Sequence, residues 1–412
     1  MVESLLFGGG FESLGGMRRV LFYILTILSL VSAVAGKPIM LRVVGGEIHQ
    51  GEIRFVRNDA IYFKTSSGSV VKISMATLNP AGKRIVNSWI SERGGSREYA
   101  SWIGVTNQSF SKSWPRTVYG PTSIQLKKVQ SLSKKNLLIY ESSHYRFLIN
   151  TKVEPRVIQR FAVLFEATHK FVLALPINAS GHYVDKDFKF PIYLFGDYES
   201  YHRAGGPQGS AGVYTPRNQS VLVPMPVLGL SWDGRKWEYK KGGSNRVLSH
   251  ELTHQLCAGP AFSSWYIEGG AEYVASTRYT HGVYHTNNGK QRVFDYVRDK
   301  DGLKDGSGRR LGSRIPMMAL ENFMTLPYAR FAGGRDANKN YGVGLLLTYY
   351  FYHHDGDGDG AKIKQYIKAV QMGKSERDSQ KFLLRNRSYF QLQEEFRKFC
   401  AKGGISLEFP RK

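Results

Sequence analysis

Apolar and polar positions alternate differently in three parts of the chain. Between residues 39 and 75 the runs IMLRVV, EIRFV, AIYFKT and VVKISM are short and rich in β-branched and aromatic residues. The polar breaks GGE, RND and SSGS separate them, which predicts short strands joined by turns. Asn79 before Pro80 is a helix-start signal, and it opens NPAGKRIVNSWI. From about residue 136 strand and helix patterns alternate. YRFLIN reads as a strand, EPRVIQRFAVLFEATHKFVLAL has helical spacing, and FPIYLFG returns to strand. SAGVYTPRNQSVLVPM reads as two strands around the turn TPRN. From about Tyr341 the pattern is helical: YGVGLLLTYYFYHH, GAKIKQYIKAVQMG and YFQLQEEFRKFCAKGG place apolar residues one helical turn apart. The expected fold class is α+β, a mixed sheet leading into helices, preceded by a small β-barrel module.

Between these parts, residues 91–135 shift to Ser, Gly, Lys and Arg, as in SERGGSREYAS and QSLSKKN. Such a segment buries little and predicts a linker with some local order. The boundaries that follow are a β module over 37–90, the linker, and a main domain over 136–410.

Composition narrows the partners. With 412 residues and 42% hydrophobic content, the chain can fold around more than one core. The net charge of +24 implies attraction to anionic surfaces, such as an envelope polymer or lipid head groups. No run of Lys and Arg is interleaved with aromatics, so a nucleic-acid partner is not expected. MRRVLFYILTILSLVSAVAGKP has a basic start at Arg18 and Arg19, an apolar run from Val20, and the A-x-A pattern Ala33-Val34-Ala35. That predicts a signal peptide over 1–35, with translation expected to start at Met17, and export to the periplasm, envelope or medium. An uncleaved anchor is the alternative. Cys257 and Cys400 either pair or lie as separate small apolar residues.

The chemistry concentrates in SHELTHQLCAGPAFSSWYIEGGAEY, residues 249–273. A helix capped by Ser244 or Asn245 and stopped at Gly259-Pro260 carries His250 and His254, four apart and on one face, able to grip one ion. Glu251 follows the first histidine and leans beside the ion's open position, where it can take a proton from water. A second helix after Ser263-Ser264 places Glu268 and Glu272 on one face. Catalytic Zn2+ needs three protein ligands and one open position, so Glu268 is the third ligand. Glu272 then accepts the other ring N–H of a ligand histidine. Gly269 and Gly270 are costly inside a helix and imply that it presses against the zinc helix, unless the helix starts after them. HHDGDGDGAK alternates Asp355, Asp357 and Asp359 like a calcium loop, but Tyr366 stands where a bidentate Glu is required, so it reads as a polar connection.

At these residues the sequence resembles the gluzincin metallopeptidases, the class that includes thermolysin and the zinc aminopeptidases. The thirteen residues between His254 and Glu268, and WYIEGGAEY itself, are more similar to an uncharacterised bacterial peptidase-MA-like family, over roughly residues 138–405. That resemblance implies a thermolysin-like fold, with His250, His254 and Glu268 as ligands, Glu251 as base and Glu272 as the orienting carboxylate. Gluzincins also bring a Tyr or His from the helical half to the oxyanion. Tyr341 is the candidate, with core packing as its competing role. GVYTPR either pairs with an extended peptide or forms a structural hairpin. Residues 37–89 resemble the first SLA-homology domain, although Asn79-Pro80 departs from its helix start. The expected function is hydrolysis of peptide bonds by an exported zinc metallopeptidase. A catalytically idle protein of the same fold, binding anionic envelope polymer, is the alternative.

Overall fold

The computed structural model describes residues 39–57, 60–66, 70–91, 107–130, 137–179, 189–215, 219–239, 246–258, 262–287, 289–298, 308–371 and 374–410. The expected signal segment with Met17, the capping pair Ser244-Asn245, the stop Gly259-Pro260 and most of the turn TPRN lie outside the described residues. Among the described residues no helix is long and apolar enough to cross a membrane.

The amino-terminal unit has strands β1 (Ile39–Arg42), β2 (Ile48–Arg57), β3 (Ala60–Thr65) and β4 (Val70–Ser74), antiparallel and in chain order. Period-two alternation turns Leu41, Ile53, Ile61, Phe63 and Ile73 to one face, where Val86, Trp89 and Ile90 of α1 (Pro80–Ser91) cover them. Asn79 starts α1 as expected, its side chain accepting the Gly82 N–H at 2.8 Å. The expected barrel is not closed. Among the described residues β1 and β4 share no ladder, and the isolated Val43–Leu78 bridge joins the segments that follow them. Closure needs both edges to pair in register; here the open face is covered by the helix instead.

The large unit opens with α2 (Asn107–Ser111), β5 (Thr117–Tyr119), β6 (Lys127–Val129), β7 (Leu138–Glu141) and β8 (Tyr145–Ile149). It continues through α3 (Pro155–Ala174), β9 (Phe190–Phe195), α4 (Tyr198–Arg203), β10 (Val213–Thr215) and β11 (Ser220–Pro224), then the hairpin β12 (Leu230–Trp232) and β13 (Trp237–Tyr239). After α5 (Arg246–Cys257) and α6 (Ser264–Ser276) come β14 (Arg278–Thr280), β15 (Val283–His285), α7 (Gly289–Arg298) and β16 (Arg314–Pro316). The remainder is α8 (Leu320–Met324), α9 (Tyr328–Ala332), α10 (Ala337–His353), α11 (Ala361–Gln371), α12 (Glu376–Leu384), α13 (Tyr389–Lys402) and β17 (Ser406–Glu408).

Six strands form a mixed sheet in the order β10-β11-β9-β8-β7-β6, parallel only at β11/β9 and β9/β8. The parallel pairing of β8 and β9 requires a crossover, and α3 supplies it. Its apolar stripe, including Val157, Phe161, Leu164 and Phe165, packs into the same core as Tyr145, Phe147 and Ile149 of β8. The architecture is therefore the mixed α+β one expected. The linker assignment is overturned over much of its length. Val118 of β5 pairs with Tyr284 of β15, and Lys128 of β6 pairs with Tyr140 of β7. The Trp114 ring lies 4.2 Å from Tyr352, and its Nε1–H donates to the Asp359 carbonyl at 3.0 Å. Residues 107–129 belong to the large unit; their polar composition is that of an exposed edge, with Lys127 and Lys128 facing solvent.

Two smaller expectations also resolve. Cys257 and Cys400 are both free thiols, on α5 and α13, and burial pushes the Cys257 thiol up to about 12, disfavouring its thiolate. The HHDGDGDGAK segment connects α10 to α11, with Gly356, Gly358 and Gly360 at φ values of 66°, 75° and 72° that favour glycine. Its Asp355 is turned inside rather than solvated, holding Arg387 at 2.8 Å and Lys362 at 2.9 Å.

Candidate metal centre

Helix α5 buries Leu248, Leu252 and Leu256, four apart, in the main core. That anchoring leaves His250 and His254 on an adjacent face, toward α6. On α6, Trp265 is fully buried between Phe351 and Tyr366 and fixes the helix's rotation. Glu268 and Glu272 are then turned toward α5, with 0% and 2% of their surface exposed.

The three nearest donor atoms form a small triangle. His250 Nε2 is 3.0 Å from His254 Nε2 and 3.1 Å from Glu268 Oε2, and His254 Nε2 is 3.4 Å from Glu268 Oε2. Ligands held about 2.0–2.1 Å from a tetrahedral ion stand about 3.3–3.4 Å apart. The triangle therefore has nearly the dimensions of one face of such a site, and the three residues could hold a metal ion.

Glu272 faces the other side of the same ring, its Oε1 2.9 Å from His250 Nδ1. A carboxylate can only accept there, so Nδ1 carries a proton, and once Nε2 gives up its own proton its lone pair is directed into the triangle. Arg309 pins Glu272 in turn, its Nε donating to Oε2 at 2.9 Å while the guanidinium lies over the Tyr341 ring. Burial disfavours the charge on Glu272, but Arg309 and His250 override it and hold its pKa down to about 2. Burial likewise opposes charge on the His250 ring, and the Glu268 and Glu272 carboxylates raise it to about 10 in the metal-free protein. Glu268 is held well below the ordinary carboxylate range by the two histidines, against its burial.

Glu251 is also buried, and burial raises its pKa against the pull of His250 and His254. It accepts the backbone N–H of Tyr214 on β10, and a Cβ on Gly212 would lie 3.2 Å from its Cγ. Once both imidazoles are neutral, the buried carboxylates of Glu268 and Glu272 outnumber the positive charge of Arg309 beside them. That excess of buried negative charge is what a bound cation would neutralise.

Tyr341 does not open its helix but is the fifth residue of α10, with its ring 5.9 Å from that of His250 and 6.1 Å from Phe331. Sequence reasoning missed two neighbours. Tyr328 on α9 donates its hydroxyl to Glu268 Oε1 at 2.7 Å, and Arg309 reaches Glu272 from the segment before β16. Burial, and after it the Glu268 charge, raise the pKa of both phenols, so Tyr328 and Tyr341 remain O–H donors at neutral pH. The glycine reading needs correction. α6 runs unbroken through Gly269 and Gly270, but Gly269 faces α10 rather than α5. A Cβ there would collide with the Gly344 carbonyl and the Thr348 hydroxyl, whereas one on Gly270 meets nothing within 4 Å. Gly269→Ala is expected to destabilise by about 1–3 kcal/mol through overpacking. Gly270→Ala should stabilise by up to about 1 kcal/mol through helix propensity. Urea unfolding of the two variants checks this, and equal effects would contradict the close α6–α10 approach. No protein-family model matches the chain, and no curated protein is significantly similar to it.

Proposed function

We propose that the protein is an exported zinc-dependent peptidase of gluzincin type, similar to the peptidase-MA-like family that its motif resembles. The observation that carries this reading is the triangle of His250, His254 and Glu268 donor atoms, with Glu251 buried beside it. Two imidazoles and one carboxylate are the donor set of a catalytic zinc site with one position open. When bound, zinc supplies an acidified water and a Lewis acid for the substrate carbonyl. Glu251 takes the proton of the attacking water and can return it to the leaving amine. Its low-dielectric surroundings keep it basic enough to do so.

The substrate class follows from β10, an edge strand of the six-stranded sheet. Because Tyr214 N–H reaches Glu251, the outer edge of β10 runs past the base. An extended peptide added to that edge is carried across the site by main-chain pairing. Tyr341 is the neutral donor beside the ligands that would stabilise an oxyanion, while the single hydroxyl proton of Tyr328 is committed to Glu268. The net charge of +24 favours a second reading, an idle site on a protein that adheres to anionic envelope polymer or lipid.

Hydrolysis of a mixed library of quenched fluorescent peptides is expected with zinc loaded, to disappear with a chelator, and to return on adding zinc. A chain that holds zinc in this centre and cleaves nothing, yet binds anionic vesicles at low salt, establishes the second reading instead.

A further inference from the structure

The described residues contain a second group of the same donor types, sharing no residue with the α5–α6 centre. His144 stands on the turn between β7 and β8, and Glu166 and His169 are three apart on α3, hence on one face. Glu166 and His169 are buried, with 6% and 7% of their surface exposed, while the His144 side chain is 47% exposed. The two imidazoles stack at 4.0 Å between ring centroids. One ligand atom from each residue lies within 4.8 Å of the others. The group lines a groove of about 610 Å³ bordered by Gln125, Lys170 and Leu173.

We infer that His144, Glu166 and His169 form a second transition-metal site, selective for zinc-like ions over magnesium or calcium. Two imidazoles with one carboxylate suit a borderline ion, whereas hard cations need several oxygens. Glu166 is built to be anionic. It accepts the His144 backbone N–H at 2.8 Å and the His144 ring Nδ1–H at 2.5 Å. The 2.5 Å contact is a hydrogen bond, not the spacing of two ligands to one ion. Loading therefore replaces the ring proton and swings His144 outward by about an ångström, toward the ligand separation a zinc ion imposes. Its exposed position on a turn leaves room for that. Three protein donors leave a four-coordinate ion one position for water or a groove ligand.

Equilibrium dialysis of the full chain against excess Zn2+, followed by elemental analysis, tests the assignment independently of peptidase activity. The wild type is expected to hold two zinc ions per chain, His144→Ala and His169→Ala one, and His49→Ala, on the amino-terminal sheet, two. His144 is exposed, so its variant keeps the fold and carries the test should His169→Ala misfold. Equal zinc in wild type and His144→Ala overturns the inference, whatever that number is. A matching loss in His49→Ala overturns it too, by showing diffuse binding to surface histidines. If the α5–α6 centre fails to bind zinc, the counts become one and zero, and the two sites remain distinguishable.

Discussion

Glu251→Gln is expected to leave zinc content at one per chain in the α5–α6 centre and to lower peptide hydrolysis by about a hundred- to ten-thousand-fold. That range is what a general base typically contributes. The substitution preserves shape. The amide oxygen can still accept the Tyr214 N–H that the carboxylate now accepts, and no new volume enters the contact with Gly212. What is lost is the ability to take a proton. The three residues that could hold a metal ion do not include Glu251, on which His250 and His254 act through their charge. Initial rates on a fluorescent peptide, beside zinc analysis of the same preparation, read the two effects separately. A variant that keeps more than a tenth of the activity places the base elsewhere, and one that loses its zinc makes Glu251 a ligand.

The centre was legible in the sequence because its geometry is helical periodicity. His250 and His254 on one helix, and Glu268 and Glu272 on the next, are each four apart, so spacing alone turns them to common faces. The strand and helix order from residue 136 was legible for the same reason. Contacts between remote segments left no such trace. Tyr328 reaches Glu268 across 60 residues and Arg309 reaches Glu272 across 37, and neither sits in a periodic pattern that marks it. Polar composition hid β5 and β6, whose partners β15 and β7 lie in better-patterned segments. Gly269 was recognisable as a close approach but not its partner, since Gly344 lies on a helix that sequence places no nearer than any other. The barrel expectation failed at a similar step: four strand patterns do not state whether the first and last pair.

Replacing Glu268 or Glu272 by Ala should separate a ligand from a residue that orients one. Glu268 Oε2 lies within 3.4 Å of both histidine Nε2 atoms, so Glu268→Ala removes one of three donors and should lose most of the zinc of this centre. His250→Ala and His254→Ala should behave the same way. Glu272 meets His250 only at Nδ1, on the ring edge away from the triangle. Its loss frees the ring to turn and to carry its proton on either nitrogen, which typically weakens metal binding about ten- to a hundredfold without abolishing it. Glu272→Ala also leaves the Arg309 guanidinium without its buried partner, a change that costs about 3–5 kcal/mol where a buried pair is broken. Glu272→Ala is thus expected to unfold at markedly lower urea than Glu268→Ala when both are metal-free. Zinc analysis at several free-zinc concentrations and urea unfolding with a chelator present measure the two effects. If Glu272→Ala loses the metal outright while Glu268→Ala retains it, the third ligand is Glu272, and the Arg309 pair belongs to the metal centre rather than to its support.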